Sequence, residues 1–454
     1  MEIKSLSLIF EKKLYLKIID ISYEKVFVIT LTFLYLLLPQ STTAREPHLL
    51  IKIYTKNNPE KFLKNLDKYY KNLSNKIPYH FLITCDVDDP TMNCLKIKQK
   101  LLKFSNLTIE YNKSKTTVDA FNSDIHKFIN WFDILLFVSD DLEPIIPEYD
   151  KIIADYMIFH YPDYDGVLNF HNDINPSINK SPVIGKNFYK HFGYVFNSAY
   201  QSSYYDNELT YVSRILGKET TINKSILTKP TTSIEVNKKD EETFKKRRLN
   251  TFYLDETILS EIFTRDWSIL ICSMPEREKK FSHLYNKLFK QIQDYHLEDK
   301  IEVLTFKDNK EHSIGYKRNT LLKKSRGMYV NFIDDDDDIH ENYIKMIHEK
   351  LKNKPDCVSL SGIITFDGKY PSSFVHSIQY NSYFQKNGIF YRPPNHINTI
   401  KRSIASQFIF PNISFAEDTN WAMQIANSNL LIKEESITIP YYFYQYVKKD
   451  SSNE

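Results

Sequence analysis

The chain has 454 residues, 60 Lys and Arg against 57 Asp and Glu, a net charge of +3, and 42% hydrophobic residues. That length points to two domains of ordinary size, the apolar share is enough for packed cores, and the near balance of charge creates no demand for a nucleic-acid partner. Nine Gly against 32 Tyr and 30 Phe exclude a disordered or collagen-like chain.

In chain order, residues 26–38 (VFVITLTFLYLLL) come first, nearly all apolar and followed by Pro39. The run is shorter than the roughly 20 residues of a spanning helix. Residues 41–44 (STTA) resemble a cleavage region, but the segment before the apolar run is long for the start of a signal peptide. A buried or membrane-associating helix, a signal peptide or anchor, and a misassigned start codon all stay open. The expectation is a cytoplasmic protein with peripheral membrane contact through this stretch. Cys85, Cys94, Cys272 and Cys357 form no C-x-x-C pair and no zinc spacing, so they read as reduced thiols.

Strand-like runs follow at 49–55 (LLIKIYT), 79–85 (YHFLITC), 107–111 (LTIEY) and 134–138 (ILLFV), with helical patterns at 59–73, 91–104 and 116–129 between them. From 236 to 265 the chain turns polar (VNKKDEETFKKRRLN at its start) and reads as a linker. The order then begins again: strand 267–273 (WSILICS), helix 278–293, strand 300–306 (KIEVLTF), helix 316–325, and strand 328–338 (MYVNFIDDDDD). Strands and helices alternating over short connections predict an α/β fold with parallel sheets. The expected domains are a 1–45 segment, 46–235, the linker, and 266–454. The halves share an order of parts: Lys115, Asn122 and Asp140-Asp141 in the first, Lys317-Arg318-Asn319 and Asp334 onward in the second.

The chemistry gathers at strand ends, where open α/β sheets bind ligands. Five consecutive aspartates, Asp334 to Asp338, repel one another unless solvated or wrapped around a cation. A strand ending Asp-x-Asp puts Asp334 and Asp336 on one side, where they could share Mg2+ or Mn2+ with substrate phosphates. Helix capping by Asp338 explains one aspartate and leaves four. An EF-hand needs Gly at position six and Glu at twelve, where this run has Ile339 and Lys345. Upstream, Gly315 and the basic start of a helix at Lys317, Arg318 and Asn319 suit a phosphate, or else form a solvated face. Downstream, Glu417 and Asp418 open an amphipathic helix as capping acids or as a general base. His396 is a structural imidazole, a third metal ligand or a phosphate contact.

These residues carry a resemblance. ILICSMPER (269–277), G-x-KRN (315–319), YVNFIDDDDD (329–338) and the acidic pair at 417–418, in this order, resemble a family 2 glycosyltransferase of the GT-A fold over about 265–445. The resemblance implies that Asp334 and Asp336, with Asp335 beside them, hold the metal and the donor diphosphate, the register of the pair being open by one position. It implies donor contacts from Lys317, Arg318 and Asn319, Asp418 (or its neighbour Glu417) as base, and inversion at the anomeric carbon. The first half resembles the same superfamily more loosely through KIYTKNNPEKF (52–62), ILLFVSDDLEP (134–144) and DGVLNFHND (165–173). It implies metal ligands at Asp140 and Asp141, donor contacts at Lys115 and Asn122, and a base at Asp206. With Ser139 leading its acidic motif, this half is either active on another donor or a degenerate acceptor-binding module.

The expected fold is therefore two GT-A domains in tandem. The expected activity is a metal-dependent hexosyl transfer from a nucleotide-diphosphate sugar to a glycan, lipid-linked or protein acceptor. Competing readings are a nucleotidyltransferase, which lacks its Gly-rich basic loop here, and one active domain joined to a carbohydrate-binding one.

Overall fold

Short apolar runs rich in β-branched residues form the strands, and amphipathic stretches between them form the covering helices. The computed structural model describes residues 45–171, 178–228 and 236–446. In the first half the elements are β1 (Leu49–Thr55), α1 (Pro59–Lys71), β2 (Tyr79–Asp86), α2 (Leu95–Leu101), β3 (Leu107–Asn112), α3 (Thr117–Asn122), β4 (Ile134–Ser139), α4 (Tyr149–His160), β5 (Val167–His171), β6 (Val183–Gly185), α5 (Lys186–Phe192), α6 (Tyr205–Ile215) and β7 (Glu219–Asn223). They build one seven-stranded sheet in the order β3-β2-β1-β4-β6-β5-β7, in which only β6 runs antiparallel to its neighbours.

The polar stretch read as a linker holds two helices, α7 (Lys238–Leu249) and α8 (Glu256–Ile262). Asn237 caps α7 by accepting from the Lys239 and Asp240 amides, and Asp240 in turn accepts from the amides of Gln201, Ser202 and Ser203. Charge on this helix is local anchoring as well as solvation.

The second half continues with β8 (Arg265–Ser273), α9 (Glu278–Asp294), β9 (Ile301–Lys307), α10 (Ile314–Lys324), β10 (Gly327–Phe332), β11 (Asp338–Ile339), α11 (Tyr343–Leu351), β12 (Cys357–Val358), β13 (Leu360–Phe366), β14 (Lys369–His376), β15 (Phe384–Lys386), β16 (Ile389–Arg392), β17 (Ile400–Lys401), α12 (Arg402–Ala405), α13 (Glu417–Ser428), β18 (Glu434–Glu435) and β19 (Tyr442–Tyr446). One sheet runs β18-β12-β17-β10-β8-β9 and a second runs β11-β19-β13-β14-β16-β15. The second sheet was not foreseen. The fold class is the expected mixed α/β with parallel-rich sheets.

Two expectations need correction. The strand before the aspartates stops at Phe332, and Asp334–Asp337 form a turn closed by the Asp337 amide on the Asp334 carbonyl at 3.1 Å. The alternation of a strand therefore does not set where the carboxylates point. The expected cytoplasmic placement with membrane contact is also withdrawn. Among the described residues no helix is long and apolar enough to cross a membrane, and residues 26–38 lie outside the described residues. The four cysteines are free thiols.

The halves are joined through Arg402, which is buried at the start of α12. Its guanidinium donates to the Ile215 carbonyl at the end of α6 (2.8 Å), to Ser325 Oγ (2.9 Å) and, at 3.5 Å, to the Leu322 and Lys323 carbonyls at the end of α10. A cation there answers the negative ends of two helices at once. Burial lowers its pKa to about 10, which still leaves it charged at neutral pH. Arg402→Met should strand these carbonyls and lower stability by about 2–4 kcal/mol. Urea denaturation followed by tryptophan fluorescence reads this as a lower midpoint.

Candidate functional site

The site is built at the carboxyl end of β10, and its centre is Arg318. Gly315 lets α10 start against the chain at Pro411, because a side-chain carbon at 315 would overlap the Pro411 carbonyl oxygen. Asn319 then clamps that chain from both sides: its amide nitrogen donates to the Phe410 carbonyl (2.8 Å) and its oxygen accepts the Phe410 amide (2.9 Å). Between these anchors the buried Arg318 guanidinium lies 5.6 Å from the Phe332 and the Phe410 ring centres. Nη2 donates to Asp334 Oδ1 at 3.0 Å, and Nη1 lies 3.1 Å from Glu417 Oε1, an ion-pair contact without hydrogen-bond geometry.

His396 sits on an asparagine-rich turn. Asn395 accepts the Ile397 amide and Asn398 accepts the Asn395 amide, which fixes the loop. Its Nε2 lies 3.3 Å from Asp334 Oδ2, and its Nδ1 lies 3.5 Å from Asp418 Oδ2. Asp334, His396 and Asp418 line one small cleft with Arg392 and Tyr444 from the second sheet of this half. Residues far apart in sequence, at 318, 334, 396, 417 and 418, thus meet in one place.

Every aspartate of the run has a partner. Asp334 has Arg318 and His396. Asp335 and Asp336 share Arg277 Nη1, at 2.8 and 3.0 Å. Asp337 accepts from the Tyr442 hydroxyl (2.8 Å) and the Gln445 amide (3.0 Å), and Asp338 accepts from Lys287 Nζ (2.8 Å). Burial works to raise the Asp334 pKa, but His396, Arg318 and Arg277 outweigh it and hold the carboxyl below the usual range. Burial, with like charge at Asp334, pushes Asp337 well up, and burial raises Asp336 and Glu417 against the pull of Arg277 and Arg318.

The other expected residues are placed differently. Lys317 is buried and spent on Asp308 at 2.8 Å, and Asn319 is spent on Phe410, so neither amine nor amide faces the cleft. In the first half Lys115 is exposed, while the Asn122 amide is spent on the backbone of Val195 and Phe196. Asp140 accepts from Thr55 Oγ1 (2.8 Å), Asp141 accepts from Ser139 Oγ (2.5 Å), and Asp206 is buried with its pKa raised by that burial. Sequence reasoning assigned no role to Arg277, although it closes the quoted strand motif. A basic residue four positions past the end of the strand beside β10 was the available signal.

Among the described residues no group of three or more His, Cys, Asp or Glu is arranged to hold a metal alone. A Mg2+ or Mn2+ carried with a diphosphate needs only one or two protein carboxylates. Asp335 Oδ2 is buried without a hydrogen-bond partner, so acceptor capacity is left over beside Asp334 and Asp336. The donor set fits such an ion.

Residues 286–426, all within the second half, match the model of glycosyl transferase family 2. The matched segment holds Arg318, the aspartate run, His396, Glu417 and Asp418, and its architecture is mixed α/β. No curated protein matches the chain. Among solved structures, S. aureus TarS 1–349 in complex with UDP-GlcNAc is similar at 16% identity and a TM-score of 0.30, covering 42% of this chain and 61% of that one. The mannosyltransferase PcManGT from Pyrobaculum calidifontis, in complex with GDP-Man and Mn2+, is similar at 9% identity and a TM-score of 0.34, covering 48% of this chain and 64% of that one. The similarity thus spans about three fifths of those chains.

Arg318→Met should leave Asp334 and Glu417 buried without their cation, at a cost of about 3–5 kcal/mol at pH 7. Asp334 has a depressed folded pKa, so its contribution is present above the unfolded value near 3.9 and is lost as pH falls below it. Urea denaturation at pH 7 and at pH 3.5 should therefore show the deficit of the variant shrinking at the lower pH.

Proposed function

We propose that the chain transfers a sugar, of the hexosyl class, from a nucleotide-diphosphate donor to a hydroxyl of a glycan, lipid-linked or protein acceptor. The observation that carries the reading is the convergence of Asp334, His396 and Asp418 on one cleft inside the family 2 segment. Asp418 lines that cleft at the first turn of α13 with part of its carboxylate open to solvent, so it can take the proton of an acceptor hydroxyl. The freed oxygen attacks the anomeric carbon as the bond to the diphosphate breaks, and the nucleoside diphosphate leaves from the opposite face with inversion. His396 stands between Asp334 and Asp418, with one ring nitrogen near each carboxylate. Arg277 is partly exposed beside Asp335 and Asp336 and supplies a cation that can turn to the phosphates. A divalent cation on the Asp334 and Asp336 carboxylates would neutralise the charge of the departing diphosphate.

The expected result is release of nucleoside diphosphate, measured by coupled assay over a panel of nucleotide sugars with Mn2+. Asp336→Asn should abolish it with the far-ultraviolet circular dichroism unchanged. Asp418→Asn should lower kcat about 100-fold or more with donor affinity retained. Release of pyrophosphate in place of nucleoside diphosphate would make the protein a nucleotidyltransferase.

A further inference from the structure

The strand order β2-β1-β4-β6-β5-β7 of the first sheet is repeated in the second half as β9-β8-β10-β17-β12-β18, with the same sequence of parallel and antiparallel neighbours. Three further anchors put the two halves in residue register. Asn122 at the end of α3 clamps the Phe196 backbone through both its amide atoms, as Asn319 clamps Phe410. Phe137 of β4 meets Phe196 edge to face at 4.9 Å, as Phe332 of β10 meets Phe410 at 5.4 Å. Helices α6 and α13 each start directly after a left-handed residue, Tyr204 (φ 61°) and Ala416 (φ 60°).

In that register the charged constellation can be read position by position. Phe121 stands where Arg318 stands. Tyr205 takes the place of Glu417, and the ion pair becomes an edge-to-face ring pair at 5.3 Å. Ser139 takes the place of Asp334. The carbonyl that accepts the amide of the strand phenylalanine belongs to His396 in the second half and to Pro182 in the first. Of the five charged or ionisable groups at 318, 334, 396, 417 and 418, only Asp418 keeps an acidic counterpart, Asp206, and that carboxyl is buried. The rings of Tyr54, Phe121, Phe137, Phe196 and Tyr205 interlock with centroid distances of 4.7 to 5.8 Å and occupy the space.

We propose that the first half is a diverged copy of the second whose donor cleft is plugged by aromatic side chains, so that the chain binds one nucleotide-sugar donor, in the second half alone. The copy is kept as a brace. Lys323, near the end of the helix that carries Arg318, donates to Tyr161 Oη (3.1 Å) and Thr220 Oγ1 (2.5 Å) of the first half, and Arg402 ties α6 to the same helix end. The single donor site rests on the glycosyltransferase reading, whereas the plug does not.

Two measurements on the full chain separate these claims. Equilibrium dialysis with UDP or GDP and Mn2+ should give one nucleotide per chain, lost in Asp334→Asn. Two per chain, or one that survives Asp334→Asn, would overturn the proposal. Thermal unfolding of Phe121→Arg needs no donor. A buried cation without an acid should lower Tm by about 5 °C or more, and Phe121→Arg combined with Tyr205→Glu should recover part of the loss by restoring the pair found at 318 and 417. An unchanged Tm in the single variant would mean an open, solvated cleft and would overturn the plug. Absence of nucleotide binding together with the Tm loss would count against the glycosyltransferase reading while upholding the plug.

Discussion

A guanidinium buried between two carboxylates and two phenyl rings is the constraint around which the second half is arranged. A cation out of water costs several kcal/mol unless its surroundings answer its charge and fill its hydrogen bonds. Arg318 is answered by Asp334 and Glu417 and by the faces of Phe332 and Phe410. Each answer imposes a further requirement. Glu417 can reach it only if α13 starts where Ala416 turns left-handed, and Phe410 only if Asn319 holds its backbone. Gly315 is needed because that backbone passes too close for any side chain. The strand end, the helix start and the two loops between them are thereby fixed to one another by the chain's own contacts.

The aspartate run is tolerable for a related reason. Five like charges in a row would be ruinous in one place, but the turn at 334–337 disperses them among Arg318, Arg277, Tyr442 and Lys287. Some of these carboxylates hold the architecture, and others keep an oxygen available. Asp337 belongs to the first kind, tying the aspartate turn to β19 and so to the second sheet that walls the cleft.

Much of this was legible in the sequence, and the limits follow a pattern. Local periodicity marked β1, β2, β4, β8 and α9 to within a few residues, because burial on one or both faces writes itself into successive side chains. The residues at 318, 334, 396, 417 and 418 stood out in the sequence because charge at strand ends and helix starts has few structural uses, and the fold brings them together. What depended on distant pairing was not legible. The shared order of parts did not reveal that β9 lies beside β8, where β2 lies in the first sheet. The sheet that holds β13 and β19 carries polar and aromatic residues on mixed faces and pairs those two strands across some eighty positions. Asn319, Asn122 and Lys317 looked like ligands because their interior partners, Phe410, Phe196 and Asp308, cannot be named from sequence alone.

Arg402 has a meaning for the making of the chain. The Ile215 carbonyl that it caps precedes it by 187 positions, so during synthesis the first sheet and α6 are complete long before their cation exists. Until residue 402 emerges, the Ile215 carbonyl lacks the guanidinium that donates to it in the fold, and water takes that place. The earlier half, finished in outline, is closed by a side chain supplied from the later one. A chain cut short between the two positions would keep the Ile215 end of that joint open to water.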